Sequence, residues 1–431
     1  MIDAGFFDQL RQRGLVQQCT DDAGMGAWLA EQQRTLYAGF DPTADSLHVG
    51  SLVPLMALRR FQRAGHRPIA VVGGATGMIG DPSGKSAERK LLSPEQLRHN
   101  VEGIRGQMER LLEFGSAANS ALLVDNYDWM GPVSFIEFLR DVGKHVPVNT
   151  MLAKESVKNR LERTDAGLSF TEFSYMLLQA YDFVHLRREF GCELQVGGSD
   201  QWGNITAGID LARRMDGVQL YGVTLPLLTK SDGSKMGKTE SGTIWLDERR
   251  TSPYAFYQYW IRVEDADVSK CLRYLTELPL EEIEALDEAT RERAHEKAAQ
   301  RRLAESLTEL IHGSDGLERA RRATEVLFGG SLEGFSASEL TEIFADVPSQ
   351  ELTVEQLRAG LGIVDAFALS GLCGSKSEAR RLLAQGGLYV NQERCGDVEA
   401  QLTEGDLLAE SFFVLRSGRK KYALLRVADR S

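Results

Sequence analysis

Small residues at strand ends, cations on polar loops, and hydroxyl or carboxylate groups within apolar helices mark where this chain can do chemistry. The segment Tyr37-Ala38-Gly39-Phe40-Asp41-Pro42-Thr43 runs into Ser46-Leu47-His48-Val49-Gly50-Ser51. It reads as a strand end, a turn at Pro42 and a helix start near His48, where unpaired N–H groups and a partial positive charge suit a phosphate. Gly39 and Gly50 would let a flat base or ribose lie against the backbone. The polar stretch Leu228 to Thr239 carries three lysines, Lys230, Lys235 and Lys238, with Gly233 and Gly237. Lysines on such a loop suit transient neutralisation of a phosphate chain. Taken alone, the first segment also fits an ordinary strand-turn-helix and the second a solvated lysine loop.

Two further segments add to these. Gly73-Gly74-Ala75-Thr76-Gly77-Met78-Ile79-Gly80-Asp81-Pro82-Ser83-Gly84-Lys85-Ser86 misses a P-loop by one residue and a dinucleotide fingerprint by its first glycine. What remains is a glycine-rich turn after a strand, a helix-start signal at Asp81-Pro82, and Lys85 and Arg89 four apart on one helical face. A glycine-rich connector with solvated charges fits as well. In Ser169 to Asp182, Tyr175, Gln179 and Asp182 stand at i, i+4 and i+7 and so share a face flanked by Met176, Leu177 and Leu178. Buried polar groups without partners cost about 1–3 kcal/mol each, so this stripe must meet a ligand or a satisfied core network.

The elements that must position these groups alternate in the first half of the chain. Strands are expected at 35–40, 68–72, 121–124, 193–196 and 223–228, with helical stretches between them, notably 48–64 and 94–114. That pattern predicts a parallel sheet covered by helices, with ligands where strands end in loops. Residues 250–326 read as helical and rich in Glu, Arg and Ala. Residues 327–356 look like a linker with little core. A third unit starts at 357, with Ser375-Lys376-Ser377-Glu378 resembling a capping box and strands at 388–391 and 422–425.

With 431 residues, several domains are expected. Hydrophobic residues at 42% and charged residues at 26% exclude a wholly disordered chain. No apolar run approaches the ~18 residues of a membrane span, and Met1-Ile2-Asp3-Ala4-Gly5 resembles neither a signal nor a transit peptide. Five unpaired-looking cysteines fit a reducing cytoplasm, and seven scattered histidines predict no metal site. The net charge is -12, yet residues 357–431 hold 11 Lys/Arg against 9 Asp/Glu, so a polyanion belongs there or at local clusters.

Together, the order and spacing of the motifs resemble the tyrosyl-tRNA synthetase family in its bacterial form, class I aminoacyl-tRNA synthetases, over nearly the whole chain. His48-Val49-Gly50-Ser51 is similar to the HIGH motif and Lys235-Met236-Gly237-Lys238-Thr239 to the KMSKS motif. Gly197-Gly198-Ser199-Asp200-Gln201-Trp202-Gly203-Asn204 resembles the family's substrate-binding strand end. Two positions depart from the pattern: Ser51 stands at the second histidine of HIGH, and Ala38 replaces a cysteine common beside the ribose.

The resemblance implies a Rossmann-like catalytic domain (1–228), a mobile KMSKS-type loop and connector (229–249), a helical anticodon-side domain (250–326), the linker (327–356) and a small α+β RNA-binding domain (357–431) similar to one in a ribosomal protein. It implies a tyrosine–tRNA ligase using ATP with Mg²⁺, cytoplasmic and homodimeric, with apolar stretches near 133–152 as a candidate interface. By similarity Tyr37 and Asp182 bind the phenol. Tyr175, Gln179 and Asp81 take the α-ammonium, and Gln201 lies near the carboxylate. Gly39, Asp41, Gly50 and Asp200 belong to the nucleotide site, with Asp200 on the ribose. Thr43 and His48 meet the phosphates, while Lys235, Lys238 and Thr239 close over pyrophosphate with Lys85 and Arg89. tRNA would meet Lys376, Arg380, Arg381, Arg416, Arg419, Lys420 and Lys421. A tryptophan-specific relative and a non-catalytic RNA-binding protein on the same scaffold are the other readings. An indole N–H only donates, so the Tyr37/Asp182 pair favours a phenol.

Overall fold

The structure, a computed structural model, describes residues 2–80, 92–154, 157–158, 168–239, 242–326, 329–345, 347–418 and 421–427. The chain divides into two units, Met1–Thr251 with Tyr259–Ile311, and Ser252–Gln258 with His312–Ser431. The first holds a six-stranded sheet built from β1 (Gln18–Cys19), β2 (Thr35–Phe40), β3 (Arg67–Val72), β4 (Leu122–Asp125), β5 (Cys192–Gly198) and β6 (Tyr221–Leu225). Its order is β1-β6-β5-β2-β3-β4, and every pairing is parallel except β1 with β6. The sequence anticipates β2 to β6 within a few residues. It gives no sign of β1, which is two residues long and too short to show alternation.

β2, β3, β5 and β6 are apolar along most of their length, and Leu36, Ile69, Leu194 and Val223 are fully buried, as covered parallel strands require. From β2 the chain builds outward through β3 and β4, then returns to β5 on the other side of β2. The carboxyl ends of β2 and β5 therefore flank the point where strand order reverses, where such sheets leave a crevice. The expected helical domain over 250–326 is instead shared between the units. The helix Ala298–Val326 is interrupted at Gly313, whose φ of 74° and ψ of 178° are not helical, just past the end of the first unit at Ile311.

The second unit contains a five-stranded sheet, in order Glu393–Arg394, Leu388–Val390, Phe412–Ser417, Lys421–Val427 and Ser349–Leu352. The linker reading of 327–356 is corrected here. Ser349–Leu352 pairs in parallel with Lys421–Val427, and Leu332, Leu340, Ile343 and Phe344 share a core with Phe412, Val414, Tyr422 and Leu424. The capping box at Ser375 is half formed: Ser375 accepts from Glu378 N–H, but the Glu378 carboxylate accepts from Gly374 N–H at 2.8 Å. A chain ended at 356 would uncover four large apolar side chains, each worth about 1.5–3 kcal/mol when buried. It should aggregate or melt well below the full chain in a thermal scan; an unchanged melting temperature would contradict this packing.

Candidate active site

The crevice between β2 and β5 opens into two adjoining cavities of the first unit, about 240 and 400 Å³. They share a floor of Gly39, Phe40, Asp41, Pro54, Gly198, Asp200 and Lys235. The smaller one brings together Tyr37, Tyr175, Gln179, Asp182 and Gln201. The larger one brings together Thr43, His48, Gly50, Ser51, Lys235 and Lys238. Thr239 pairs with Gly242 in a short antiparallel hairpin. Asp81, Lys85 and Arg89 lie outside the described residues.

The smaller cavity ends in polar groups placed by three different elements. Tyr37 points inward from β2 and is 2% exposed, and its hydroxyl has no hydrogen-bond partner. Asp182, on the helix Phe170–Phe190, is 4% exposed and accepts from Trp129 Nε1 at 2.9 Å and Asn126 Nδ2 at 3.1 Å. Burial pushes its pKa up to about 7, against the pull of those two donors. Burial, with the nearby Asp182 charge, drives the Tyr37 phenol well above its ordinary range. Gln195 on β5, in register with Tyr37, brings a second buried oxygen without a partner. A pocket that leaves such groups unmatched is built for a polar ligand end.

Farther out, Gln201 Oε1 accepts from Gln179 Nε2 at 3.3 Å and Asn204 Nδ2 at 3.0 Å, which fixes which end of each glutamine amide faces the other. Asn126 ties the floor together: it accepts from Ala75 N–H at 2.8 Å and donates to Thr76 Oγ1 at 3.0 Å as well as to Asp182.

In the larger cavity His48 caps a short 3₁₀ turn over Val49–Ser51, and its Nδ1 accepts from Gly50 N–H at 3.0 Å. That bond leaves Nε2 as the nitrogen that carries the proton in the neutral ring. It also gives Gly50 a different reason from the one expected. A Cβ at Gly50 would lie 2.8 Å from His48 Cε1, so the glycine makes room for the imidazole. Ala38, 1% exposed, lines neither cavity. The lysine segment is less loose than its composition suggests: Thr229 bridges Lys235, and Met236 is buried.

In the second unit Arg380, Arg381 and Lys421 are exposed. Lys376 pairs with Asp365 at 2.7 Å. Arg416 donates to Gln392 Oε1 and Gly418 O, both at 2.8 Å, and lies 3.6 Å over the Tyr389 ring. Arg419 and Lys420 lie outside the described residues.

Residues 29–329 match the model of class I tRNA synthetases (W and Y), and residues 339–425 match the tyrosine–tRNA ligase SYY-like C-terminal domain. The chain is 58% identical over 423 residues to the tyrosine–tRNA ligase of Rhodopirellula baltica, covering 98% of this chain and 96% of that one. It is 52% identical over 421 residues to the tyrosine–tRNA ligase of Opitutus terrae, covering 97% and 99%. The chain belongs to the bacterial-type tyrosyl-tRNA synthetases of class I. Its fold matches a C-terminally truncated mitochondrial tyrosyl-tRNA synthetase from Aspergillus nidulans with a TM-score of 0.68 at 32% identity, covering 75% of this chain and 94% of that one.

The sequence reading of this synthetase passed over Asn126, Trp129, Gln195 and Thr76. A signal existed for two of them. Asn126 follows β4 directly, at the strand end where such sheets bind ligands, and Gln195 lies on β5 just before its Gly197-Gly198 end.

Proposed function

We propose that this synthetase joins L-tyrosine to ATP and passes the tyrosyl group to tRNA(Tyr). The tyrosine carboxylate attacks the α-phosphorus, the bond to the bridging oxygen of pyrophosphate breaks, and tyrosyl-adenylate forms. A hydroxyl of the tRNA's terminal ribose then attacks the tyrosyl carbonyl, and AMP leaves. The substrate supplies its own nucleophile, so the protein's part is positioning and charge stabilisation. The observation that carries this reading is the shared floor between a cavity closed by Tyr37 and Asp182 and a cavity bearing His48, Lys235 and Lys238.

In this assignment the phenol donates to Asp182 and accepts from Tyr37. Tyr175 and Gln179 receive the α-ammonium together with Asp81; Gln179, donating from Nε2 to Gln201, keeps its oxygen for that role. Gln201 lies at the carboxylate and Asp200 at the ribose, with Gly39, Asp41 and Gly50 beside the nucleotide. Thr43 and His48 meet the phosphates. Lys235, Lys238 and Thr239 neutralise the departing pyrophosphate with Lys85 and Arg89. ATP enters with Mg²⁺ on its phosphates as part of the substrate. Among the described residues no group of three His, Cys, Asp or Glu stands together as a resident metal site. The exposed Arg380, Arg381 and Lys421 offer tRNA a basic surface whose binding should weaken with salt, and the sequence reading assigns Arg419 and Lys420 to the same role.

ATP–pyrophosphate exchange with tyrosine, tryptophan and phenylalanine tested separately decides the assignment. Tyrosine alone should support it strongly, and silence with tyrosine would end the reading. Recognition should also depend on pH. The carboxylate form of Asp182 accepts the phenol, and its pKa in the free enzyme is about 7. The kcat/KM for tyrosine should therefore fall about tenfold per pH unit below that value and level off above it. A profile flat from pH 5.5 to 8 would exclude this role.

The synthetase acts as a homodimer in the cytoplasm in this reading; no helix among the described residues is long and apolar enough to cross a membrane. Phe135, Ile136 and Leu139 form one face of the helix Phe135–Asp141, and Phe135 and Ile136 are 62% and 71% exposed. With the exposed Val148 and Leu152 they make an apolar patch of the kind that a second copy covers. Ile136→Asp should shift the enzyme from dimer to monomer in sedimentation; an unchanged sedimentation coefficient at the dimer value would place the interface elsewhere.

A further inference from the structure

The lysine segment is gripped from the side by groups with no part in the reaction steps above. Gly237 N–H donates to Tyr259 Oη at 2.8 Å, and Gly237 O accepts from Ile244 N–H at 2.9 Å. Gly237 has a φ of +89°, and a Cβ there would lie 3.2 Å from Val49 Cβ, so the backbone crosses directly over the residue that follows His48. At the start of the segment Lys270 Nζ donates to Thr229 O and pairs with buried Asp267 at 3.1 Å. Between these two points Met236 Sδ meets buried Cys271 Sγ at 3.7 Å.

The grip has a firm base. Lys270 and Cys271 lie on the helix Asp265–Leu275. Arg60, on the helix Leu52–Arg63 that follows His48, donates to the carbonyls of Tyr274 and Thr276 at 2.8 and 2.6 Å. The helix that holds the lysine segment is thus bolted to the one that begins under the nucleotide cavity. In this arrangement Lys235 lines both cavities and Lys238 the larger one.

We propose that Tyr259 and Lys270 are positioning residues that hold Lys235 and Lys238 over the nucleotide cavity, an inference that rests on the synthetase reading above. Charge stabilises a transition state best when it is already in place. Without the two anchors, the Met236–Cys271 contact, the Gly237–Ile244 bond and the short pairing of Lys238 and Thr239 with Thr243 and Gly242 would be left to set where the ammonium groups stand. Burial pushes the Tyr259 pKa up to about 12, so its hydroxyl stays neutral at working pH while its oxygen accepts from Gly237 N–H.

Tyr259→Phe removes the oxygen and keeps the ring. In the full-length enzyme, kcat for tyrosine-dependent pyrophosphate exchange should fall about tenfold while the KM for tyrosine moves less than about twofold. Transfer from preformed tyrosyl-adenylate to tRNA should stay within about twofold, since pyrophosphate has then left. Amide exchange over residues 236–238 should speed up about tenfold as the Gly237 bond is lost. Lys270→Met should lower kcat in the same selective way, and if that variant does not fold, Tyr259→Phe decides alone. A Tyr259→Phe enzyme with unchanged kcat, with kcat and tyrosine KM lost together, or with unchanged amide exchange overturns the assignment. The parent enzyme separates the two readings. Silence of the parent with tyrosine defeats the synthetase reading and this inference with it, whereas an active parent with an unaffected variant defeats this inference only.

Discussion

Replacing Asp182 with alanine should lower kcat/KM for tyrosine by roughly 10²–10⁴. A lost hydrogen bond to a charged group costs about 1.5–3 kcal/mol, and the buried phenol hydroxyl left without its acceptor costs about 1–3 kcal/mol more, at about 1.4 kcal/mol per tenfold. Trp129 Nε1–H and Asn126 Nδ2–H, which both donate to the carboxylate, lose it in free and bound enzyme alike, a cost to stability and not to kcat/KM. Phenylalanine never offered a phenol, so its slow exchange should change far less, and the preference for tyrosine should shrink by most of the same factor. The ratio of the two amino acids, measured by pyrophosphate exchange on one preparation, separates recognition from any general loss of fold. A tyrosine loss under tenfold, or an equal loss for both, would show that Asp182 does not read the phenol. Tyr37→Phe should act in the same direction but more weakly, because it removes a neutral hydroxyl that has no other partner to strand.

That pocket was partly legible in the sequence, for reasons particular residues make clear. Tyr175, Gln179 and Asp182 lie on one helix, so the helical repeat alone puts them on one face, and the structure gives them one cavity. Asn126 reaches Asp182 across 56 residues of chain, through the placement of β4 beside β3, and no local pattern encodes that meeting. The same holds for Ser349-Gln350-Glu351-Leu352. It has one apolar residue and no alternation, and becomes a strand because the edge of Lys421–Val427 is there to pair with it. At Gly237 composition pointed the wrong way. A glycine among lysines reads as slack, yet here it allows a positive φ and a close backbone crossing that a side chain would block. Local periodicity therefore reported the faces of helices and the ends of strands, while long-range pairing decided how they were completed.

The same division between the cavities sets the expectation for the lysines. Lys238 lines the larger cavity and is absent from the smaller one that holds Tyr37 and Asp182. Lys238→Ala should therefore lower kcat for exchange by roughly 10²–10³, the usual effect of removing one preorganised group that meets charge as it develops. Tyrosine affinity, measured by equilibrium dialysis or fluorescence titration, should stay within about twofold, because the lost contact forms only as pyrophosphate separates. Lys235 provides the contrast. It borders both cavities, so Lys235→Ala should lower kcat and also weaken tyrosine binding a few-fold. Were Lys238→Ala to weaken tyrosine binding as much as it slows exchange, the lysine segment would be part of the amino-acid pocket, and the assignment of the two cavities to two substrates would fail.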